Sequence, residues 1–406
     1  MKVEERFLKY VSYFTTSCED QDVIPSSKRQ FDLGHELANE LQELGLSKVV
    51  CDEHCYVYGM LSATEGYENK KSIGLIAHMD TAPSFNGKDV KPVIIQNYDG
   101  NDVILPATKD ILKVSDFPQL AARKGETLIV TDGTTLLGAD DKAGIAEILT
   151  AVEQIRKEEI PHGEIWIGFT PDEEVGAGSN LFDLDYFQAD YAYTVDGDYE
   201  GEIAYENFNA ASAEFVIHGV NVHPGSAKDL MVNAAAIACE IQSMLPSEET
   251  PEHTEGREGF YHLTNMTGDV NTAKLQYIIR DHDRTLFEKK IQTLQSIAQN
   301  MQKQYKRANI CINISESYKN MLEIIEQHFT IVEAAKDAIR ANGMEPISRP
   351  VRGGTDGARL SFRGLPCPNL GTGGDGFHGP LEHITVEGME RAVSVLIEII
   401  KHPLDK

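Results

Sequence analysis

Two adjacent aspartates, Asp140 and Asp141, stand at the start of a predicted helix in the stretch TDGTTLLGADDKAGIAEI at 131–148. Neighbouring carboxylates repel each other, so a pair placed beside apolar segments usually needs a cation to neutralise it. Aspartate is also a favoured N-cap residue, and capping alone would account for one of the two. The second aspartate makes the pair a candidate metal site.

Histidines and acidic residues also follow apolar segments that have the length of β-strands. SIGLIAH at 72–78 ends in a histidine, and EIWIGFT at 164–170 leads into the acidic run DEE. Strand ends are where α/β sheets commonly display functional side chains. We therefore predict that the ends of four strands, at 72–78, 127–131, 164–170 and 190–195, converge at one edge of a sheet. With a histidine from the glycine-rich segment near the C-terminus, the residues collected in this way are His78, Asp80, Asp140, Asp141, Glu173, Glu174, Asp196 and His378.

This set of side chains favours a catalytic metal site. Imidazole and carboxylate without thiolate suit zinc, manganese or cobalt in a catalytic role, whereas structural zinc normally selects cysteine. If two ions lie ~3.5–4 Å apart, one carboxylate usually bridges them, and Asp140 is placed to do so. Three carboxylates, two neutral imidazoles and one hydroxide balance the charge of two divalent cations.

The adjacent glutamates Glu173 and Glu174 are expected to divide two tasks. Successive side chains of an extended segment point in opposite directions, so one can bind metal while its neighbour stays free. A free carboxylate beside a metal site serves as a general base and then as an acid toward the leaving amine.

The pattern of apolar segments predicts an α/β fold with a mixed central sheet flanked by helices. Between the N-terminal and C-terminal parts of this fold, the order strand, helix, strand, strand, helix, strand indicates an inserted α+β domain of the ferredoxin-like type. A chain of 406 residues also exceeds what one hydrophobic core normally serves. The predicted division is a catalytic domain at 1–206, an inserted lid or dimerisation domain at 207–319, and the rest of the catalytic domain at 320–406.

Composition excludes several classes of function. The formal net charge of −27 disfavours binding to nucleic acid or to anionic membranes and favours attraction of cations. No apolar run reaches membrane-spanning length, and charges interrupt the N-terminal amphipathic helix, which is unlike a signal peptide. The six cysteines have no framework spacing, which indicates free thiols and a cytoplasmic protein. Cys51 and Cys55 could form half of a zinc knuckle, but without a second half they are interpreted as incidental cysteines beside a strand.

Several motifs together resemble the co-catalytic di-zinc metallopeptidase family that includes glutamate carboxypeptidase and aminoacylases, and within it the tripeptide aminopeptidases. The resemblance covers nearly the whole chain, including the inserted domain. The motifs are HMDTAP at 78–83, GADDKAGIAEI at 138–148, DEEVGAGS at 172–179, TVDGD at 194–198, HPGSAK at 223–228 and RGGTDGARL at 352–360.

The resemblance assigns a role to each residue of the metal site. It implies His78 and Asp196 on one zinc ion, Glu174 and His378 on the other, and Asp140 bridging the two. Of the two histidines in GFHGPLEHI, His378 is chosen over His383 because it follows the glycine-rich turn, as the final ligand does in this family. The remaining implied features are Glu173 as the general base, Asp80 as the residue that orients His78, and a cis peptide bond at Asp140-Asp141.

Three residues outside this cluster are further candidates for the site, of which the resemblance implies only His223. His223 of the inserted domain is a candidate for stabilising the tetrahedral oxyanion, in this family often across a dimer, so a homodimer through that domain is a further expectation. Arg280 and Arg352 are candidates for gripping a substrate carboxylate, because a guanidinium binds carboxylates in bidentate fashion. Either arginine could instead form an ordinary surface ion pair.

The function implied is a metallo-aminopeptidase that releases the N-terminal residue from short peptides, most of all tripeptides. The resemblance implies a zinc-activated hydroxide as the nucleophile. A dipeptidase, a carboxypeptidase or an N-acyl amino acid deacylase on the same metal site is the alternative, because the pocket decides which bond is cut. A catalytically silent binding scaffold is a second alternative, although all the expected ligand positions are present.

Overall fold

The computed structural model describes residues 1–406, which form two compact units. Unit 1 comprises Met1–Tyr205, Met321–Arg349 and Thr355–Lys406, and unit 2 comprises Glu206–Asn320 and Pro350–Gly354. The short return of Pro350–Gly354 to unit 2 is a feature that the sequence pattern did not indicate.

Runs of strands are separated by single helices or by groups of helices. The α-helices are α1 Val3–Val11, α2 Gln30–Glu43, α3 Ala139–Lys157, α4 Ala234–Ser243, α5 Arg284–Gln304, α6 Leu322–Ile325, α7 Thr330–Ala341, α8 Asp356–Phe362 and α9 Val386–Lys401. The strands are β1 Ser47–Cys51, β2 Val57–Leu61, β3 Ile73–His78, β4 Pro92–Ile95, β5 Val103–Ile104, β6 Ile111–Leu112, β7 Leu128–Thr131, β8 Ile165–Thr170, β9 Tyr191–Gly197, β10 Ile203–Ala204, β11 Asn209–His218, β12 Phe260–Gly268, β13 Thr272–Asp281, β14 Asn309–Tyr318, β15 Asn369–Gly371, β16 Gly374–Asp375 and β17 His383–Thr385.

A seven-stranded mixed sheet forms the centre of unit 1, in the order β1-β2-β8-β3-β9-β15-β10. The middle strands β8, β3, β9 and β15 run parallel, and antiparallel strands lie outside them. Every residue of β3 and β8 is buried, as expected for apolar strands with both faces covered. Helix α3 packs against β3 and β9 on one face and contacts α1 and α9. The predicted mixed α/β fold of this part is confirmed.

One of the four predicted strand ends lies in another sheet. Strand β7 belongs to a separate four-stranded sheet, in the order β16-β17-β7-β4, where it pairs with β4 and β17. The expectation of four strand ends at one edge of a single sheet is therefore wrong. An apolar segment of strand length does not reveal which neighbours it pairs with, since pairing is decided by tertiary contacts.

Unit 2 is a four-stranded antiparallel sheet with two helices. The sheet order is β12-β13-β11-β14, and α4 and α5 pack against it. Strand β13 alternates buried and less buried residues along most of its length, which is typical of a sheet with one covered face. The chain order strand, helix, strand, strand, helix, strand agrees with the predicted α+β arrangement.

No helix of the chain combines the length and the apolar character that crossing a lipid bilayer requires.

Candidate metal centre

Three parallel strands carry predicted site residues to one edge of the central sheet. Strand β3 lies between β8 and β9, so the carboxyl ends of all three are neighbours. His78 is the last residue of β3 and faces Thr170 at the end of β8. Asp196 is the penultimate residue of β9. These strands thus carry histidine and carboxylate side chains only at or next to their ends.

Asp140 reaches the same place from a loop. After β7, residues 132–138 lead into α3, and Gly138 has φ 80°, a left-handed conformation that glycine adopts without steric cost. Asp140 and Asp141 have non-helical backbone angles inside α3, and the peptide bond between them is cis, as the resemblance implies.

The two oxygens of the Asp140 carboxylate face two different histidines. His78 Nε2 lies 2.8 Å from Asp140 Oδ1, and His378 Nε2 lies 2.9 Å from Asp140 Oδ2. His78 Nε2 is also 3.4 Å from Asp196 Oδ1, and His378 Nε2 is 2.9 Å from Glu174 Oε2. Asp140 therefore stands between one imidazole–carboxylate pair and a second such pair.

The donor set fits divalent cations. The ligand atoms of His78, Asp140 and Glu174 lie within 4.8 Å of one another, the spread of a group that could hold one ion. The Glu174 side chain is only 4% exposed, and its Oε1 atom is buried without a hydrogen-bond partner. A buried carboxylate oxygen without a donor is costly, and a metal ion would satisfy it.

Asp141 also lies close enough to His78 and Asp196 to be grouped with them as a candidate ligand. Its oxygens, however, already accept hydrogen bonds from backbone N–H groups, Oδ1 from Gly144 at 3.2 Å and Oδ2 from His78 at 3.1 Å. Asp141 is thus suited to holding the end of β3 in place, and Asp140 is the better candidate for the bridging position.

The electrostatics of the cluster also favour a cation. Burial raises the pKa of Glu174 to about 8 and that of Asp196 to about 7, and in both cases the nearby Asp140 carboxylate adds to the rise. Burial would raise the pKa of Asp140 too, but hydrogen bonds with His378 and His78 hold it below its ordinary value. Bound divalent cations would offset both the burial and the mutual repulsion of these carboxylates.

Glu173 and Glu174 lie on a 3-10 turn, Glu173–Val175, and not on an extended strand end as expected. Their separation therefore has a different cause from the predicted alternation along a strand. The Asp80 carboxylate fixes the turn, because Oδ1 accepts the N–H of Glu173 at 2.9 Å and Oδ2 accepts that of Glu174 at 3.2 Å. Burial raises the pKa of Glu173 well above its ordinary value, with the Asp196 charge as the next cause.

Asp80 also contacts His78, as the resemblance implies. His78 Nδ1 lies 3.0 Å from the backbone oxygen of Asp80 and 3.4 Å from its Oδ1. These contacts leave Nε2 directed at Asp140. A partner on the second ring nitrogen is what fixes the tautomer of a metal-binding histidine. Asp80 therefore positions His78 and the glutamate turn together.

Of the two histidines near the C-terminus, only His378 joins the cluster. His383 is the first residue of β17, where its Nδ1 lies 2.8 Å from the backbone oxygen of Leu381 and its ring meets Phe117 edge-on. The structure thus brings His378 to Asp140 and leaves His383 packed beside the start of α9.

The other three predicted residues belong to unit 2. His223 is exposed, and its Nδ1 accepts the N–H of Gly225 at 3.1 Å. Arg280 donates through Nη1 to the backbone oxygens of Ala211 and Ile279 and lies over the Tyr318 ring. Arg352 donates to the backbone oxygens of Gly256 and Glu258 and to Thr254 Oγ1, which ties it to one loop of its own unit.

Sequence reasoning missed Glu382, a buried carboxylate that holds the loop before Asp140. Glu382 Oε2 accepts the N–H groups of Leu137 at 2.6 Å and Gly138 at 2.8 Å, and Oε1 accepts that of Asp140 at 3.0 Å. Burial raises the pKa of Glu382 to about 7. The signal in the sequence was an acid between two histidines in GFHGPLEHI, but nothing there indicated its distant backbone partners.

We expect Glu382→Gln to weaken metal binding by about 10- to 100-fold, as loss of a supporting contact around a metal ligand typically does. The substituted amide nitrogen is a donor, and it would face N–H groups that need an acceptor. The measurement is zinc affinity by competition with a chromophoric chelator. Glu387→Gln is the matched control, because Glu387 accepts the Thr127 N–H at 2.7 Å at the start of α9. Equal affinity losses in the two variants would contradict the assigned role.

Family models and solved structures similar to this chain identify its fold. Residues 205–307 match the family described as Peptidase dimerisation domain, and residues 121–224 match M42 glutamyl aminopeptidase. The chain resembles the crystal structure of aminopeptidase PepT from Bacillus cereus, with a TM-score of 0.79, 23% identity, and coverage of 98% of this chain and 97% of that one. A dinuclear metal-binding peptidase of the M20 family from Bacillus subtilis matches with a TM-score of 0.66 and 15% identity over 98% of each chain. The fold is that of the M20 metallopeptidases.

Close relatives then give the family. Peptidase T of Caldanaerobacter subterraneus subsp. tengcongensis is 54% identical over 404 residues, which cover 98% of each chain. Peptidase T of Clostridium novyi is 52% identical over 402 residues, again 98% of each chain. The chain belongs to the peptidase T family of peptide hydrolases.

Proposed function

We propose that this protein is a two-metal aminopeptidase that releases the N-terminal residue from tripeptides, with zinc as the metal. The observation that carries the proposal is the Asp140 carboxylate, whose two oxygens face His78 and His378 on opposite sides. Asp196 completes the first group and Glu174 the second. A carboxylate between two ligand groups is the arrangement expected of a bridging ligand in a two-metal site.

Bound zinc ions would supply positive charge that polarises the scissile carbonyl and acidifies a water molecule. Glu173 accepts the proton of the attacking water and passes it to the nitrogen of the leaving peptide. Burial raises the pKa of Glu173 above its ordinary value, which favours uptake of a proton by this carboxylate during the reaction. Asp80 keeps Glu173 in place through the backbone of the glutamate turn.

The names of the relatives support the substrate class. Besides peptidase T, the structural likenesses include a tripeptidase from Staphylococcus aureus, with a TM-score of 0.79 and 22% identity. The match of residues 205–307 to a dimerisation domain supports a homodimer through unit 2. The six cysteines, which have no framework spacing, support a cytoplasmic location.

A substrate panel tests this function. We expect Ala-Ala-Ala to be cut far faster than Ala-Ala and N-acetylalanine. A tripeptide with different end residues, Ala-Gly-Leu, should give alanine and Gly-Leu, whereas release of leucine would instead identify a carboxypeptidase. A chelator should stop the reaction and added zinc should restore it. Faster turnover of Ala-Ala or of N-acetylalanine would instead identify a dipeptidase or a deacylase, and full activity after complete metal removal would reject the metal-dependent mechanism.

His223, Arg280 and Arg352 remain proposed substrate contacts, His223 for the oxyanion and one arginine for the C-terminal carboxylate. Of the two arginines, Arg280 is the better candidate for binding the carboxylate. Its guanidinium hydrogen-bonds through Nη1 alone, whereas Arg352 uses both terminal nitrogens for contacts within unit 2.

We expect Arg280→Ala to lower kcat/KM for Ala-Ala-Ala by about 10-fold or more, the loss of one charge-assisted contact. A C-terminally amidated tripeptide has no carboxylate to lose, so its turnover should change little. Arg352→Ala is the comparison variant and should affect both substrates alike. Equal losses on the two substrates in Arg280→Ala would show that Arg280 does not bind the carboxylate.

A further inference from the structure

Two cysteines lie together at the edge of the central sheet of unit 1. Cys51 is the last residue of β1, the edge strand, and Cys55 lies in the turn before β2. The turn is well defined, because Asp52 Oδ1 accepts the N–H groups of His54 and Tyr56, both at 2.9 Å. The Cys55 N–H donates to the backbone oxygen of Asp52 at 3.1 Å. A short, hydrogen-bonded turn thus holds the two thiols beside each other.

Both sulfur atoms pack against Gly34 of helix α2. A Cβ atom added at Gly34 would lie 3.0 Å from Cys55 Sγ and 3.3 Å from Cys51 Sγ. Both sulfurs therefore pack over the same point of α2, which has no side chain there. All six cysteines of the chain are free thiols in this structure.

The two thiols differ in exposure and in acidity. Cys51 is partly exposed, and its hydrogen bond with the Cys55 thiol lowers its pKa below the ordinary value. Cys55 is fully buried, and the hydrogen bond with Cys51 together with burial raises its pKa. Thiolates are the reactive form, so Cys51 is the thiol that small molecules can reach and that can attack first. Cys55 can react only with a group already attached to Cys51.

We propose that Cys51 and Cys55 form a reactive thiol pair that low-molecular-weight disulfides oxidise to an intramolecular disulfide. The Cys51 thiolate attacks one sulfur of the small disulfide, releases one small thiolate and keeps the other half as a mixed disulfide. Cys55 then loses its proton to the released thiolate and attacks the Cys51 sulfur, which displaces the second small thiol. Two protein thiols are oxidised, and one small disulfide is reduced to two thiols.

The two cysteines are not among the residues of the proposed metal centre, and the thiol chemistry does not depend on peptide hydrolysis. The pair is also the motif that the sequence could only interpret as incidental cysteines. Cys239 and Cys311 are exposed and provide an internal comparison, because a thiol without a partner beside it stops at the mixed disulfide.

The test treats the folded, full-length protein with bis(2-hydroxyethyl) disulfide and follows the tryptic peptide 49–70, which holds both cysteines. In the wild type we expect this peptide to become two hydrogen atoms lighter and to return to its original mass with a reductant. Cys55→Ala should keep one mercaptoethanol adduct on Cys51, and Cys51→Ala should leave Cys55 unmodified. Alanine is used because a buried hydroxyl at position 55 would lack a partner.

Two results would overturn the proposal. One is a stable adduct on Cys51 in the wild type, which would mean that Cys55 does not resolve it. The other is an unmodified peptide 49–70 under conditions that label Cys239 and Cys311, which would mean that Cys51 is not the reactive thiol. Circular dichroism of each variant checks that it is folded before it is assigned to either result.

Discussion

Replacing Glu173 with glutamine is expected to lower kcat for Ala-Ala-Ala by about 10²- to 10⁴-fold, the usual contribution of general acid–base catalysis. Glutamine has nearly the same shape as glutamate, but it cannot accept and return a proton. The metal content should stay unchanged, because the Glu173 carboxylate is not among the side chains that face the histidines of the cluster. The measurement is steady-state kinetics together with metal analysis of the same preparation.

Glu174→Gln is the matched control, since it makes the same chemical change one residue further along the same 3-10 turn. Glu174 Oε2 lies 2.9 Å from His378 Nε2, so this variant should lose metal as well as activity. If Glu173→Gln lost metal while Glu174→Gln retained it, the roles of the two glutamates would have to be exchanged.

Replacing Asp140 with asparagine is expected to remove both metal sites at once. Asparagine offers one oxygen and one NH2 group, so it cannot accept on both sides as the carboxylate does. Activity should fall by at least ~10³-fold, because the metals supply several kcal/mol of transition-state stabilisation. Zinc bound per chain, measured by elemental analysis after desalting, should fall from two toward none.

Asp132→Asn controls for damage to the loop itself. Asp132 lies in the same loop, and its Oδ1 accepts the Thr134 N–H at 2.9 Å, away from the histidines. This variant should bind metal normally. A loss of only one zinc ion in Asp140→Asn would contradict a bridging position, because the second ion would then bind independently of Asp140.

Much of the site was predictable because strand ends are marked in the sequence. His78 ends a continuous apolar run and Asp196 follows a mostly apolar one. Such runs become buried parallel strands whose ends commonly carry functional polar groups. The order of elements in unit 2 was equally readable, since amphipathic helices and alternating strands differ in period. Membership of the family, expected from six short motifs, is confirmed by relatives that match almost the full length.

The sequence did not indicate which strands pair with each other or which distant residues form hydrogen bonds. Strand β7 looked like a member of the central sheet, but its partners β4 and β17 come from separate parts of the chain. Glu382 accepts N–H groups that lie more than two hundred positions away. No periodicity records such a contact, because the buried carboxylate is chosen by the loop it satisfies and not by its neighbours in sequence.

The 3-10 turn at Glu173–Val175 separates the two glutamates for a reason that the sequence pattern did not indicate. Alternation along a strand predicted that the two glutamates separate, but the chain has already left β8 when it reaches them. The separation instead rests on Asp80, whose carboxylate accepts both backbone N–H groups of the turn. A side chain from the neighbouring strand end thus sets the geometry that local sequence rules attributed to the strand.

The most direct measurement is anomalous diffraction at the zinc edge from crystals grown with zinc. A bridging position of Asp140 predicts two peaks ~3.5–4 Å apart on either side of its carboxylate, the spacing of two-metal hydrolases. One peak should lie beside His78 and Asp196, and the other beside Glu174 and His378. A single peak, or two peaks that do not share Asp140, would contradict the two-metal centre on which the proposed function rests.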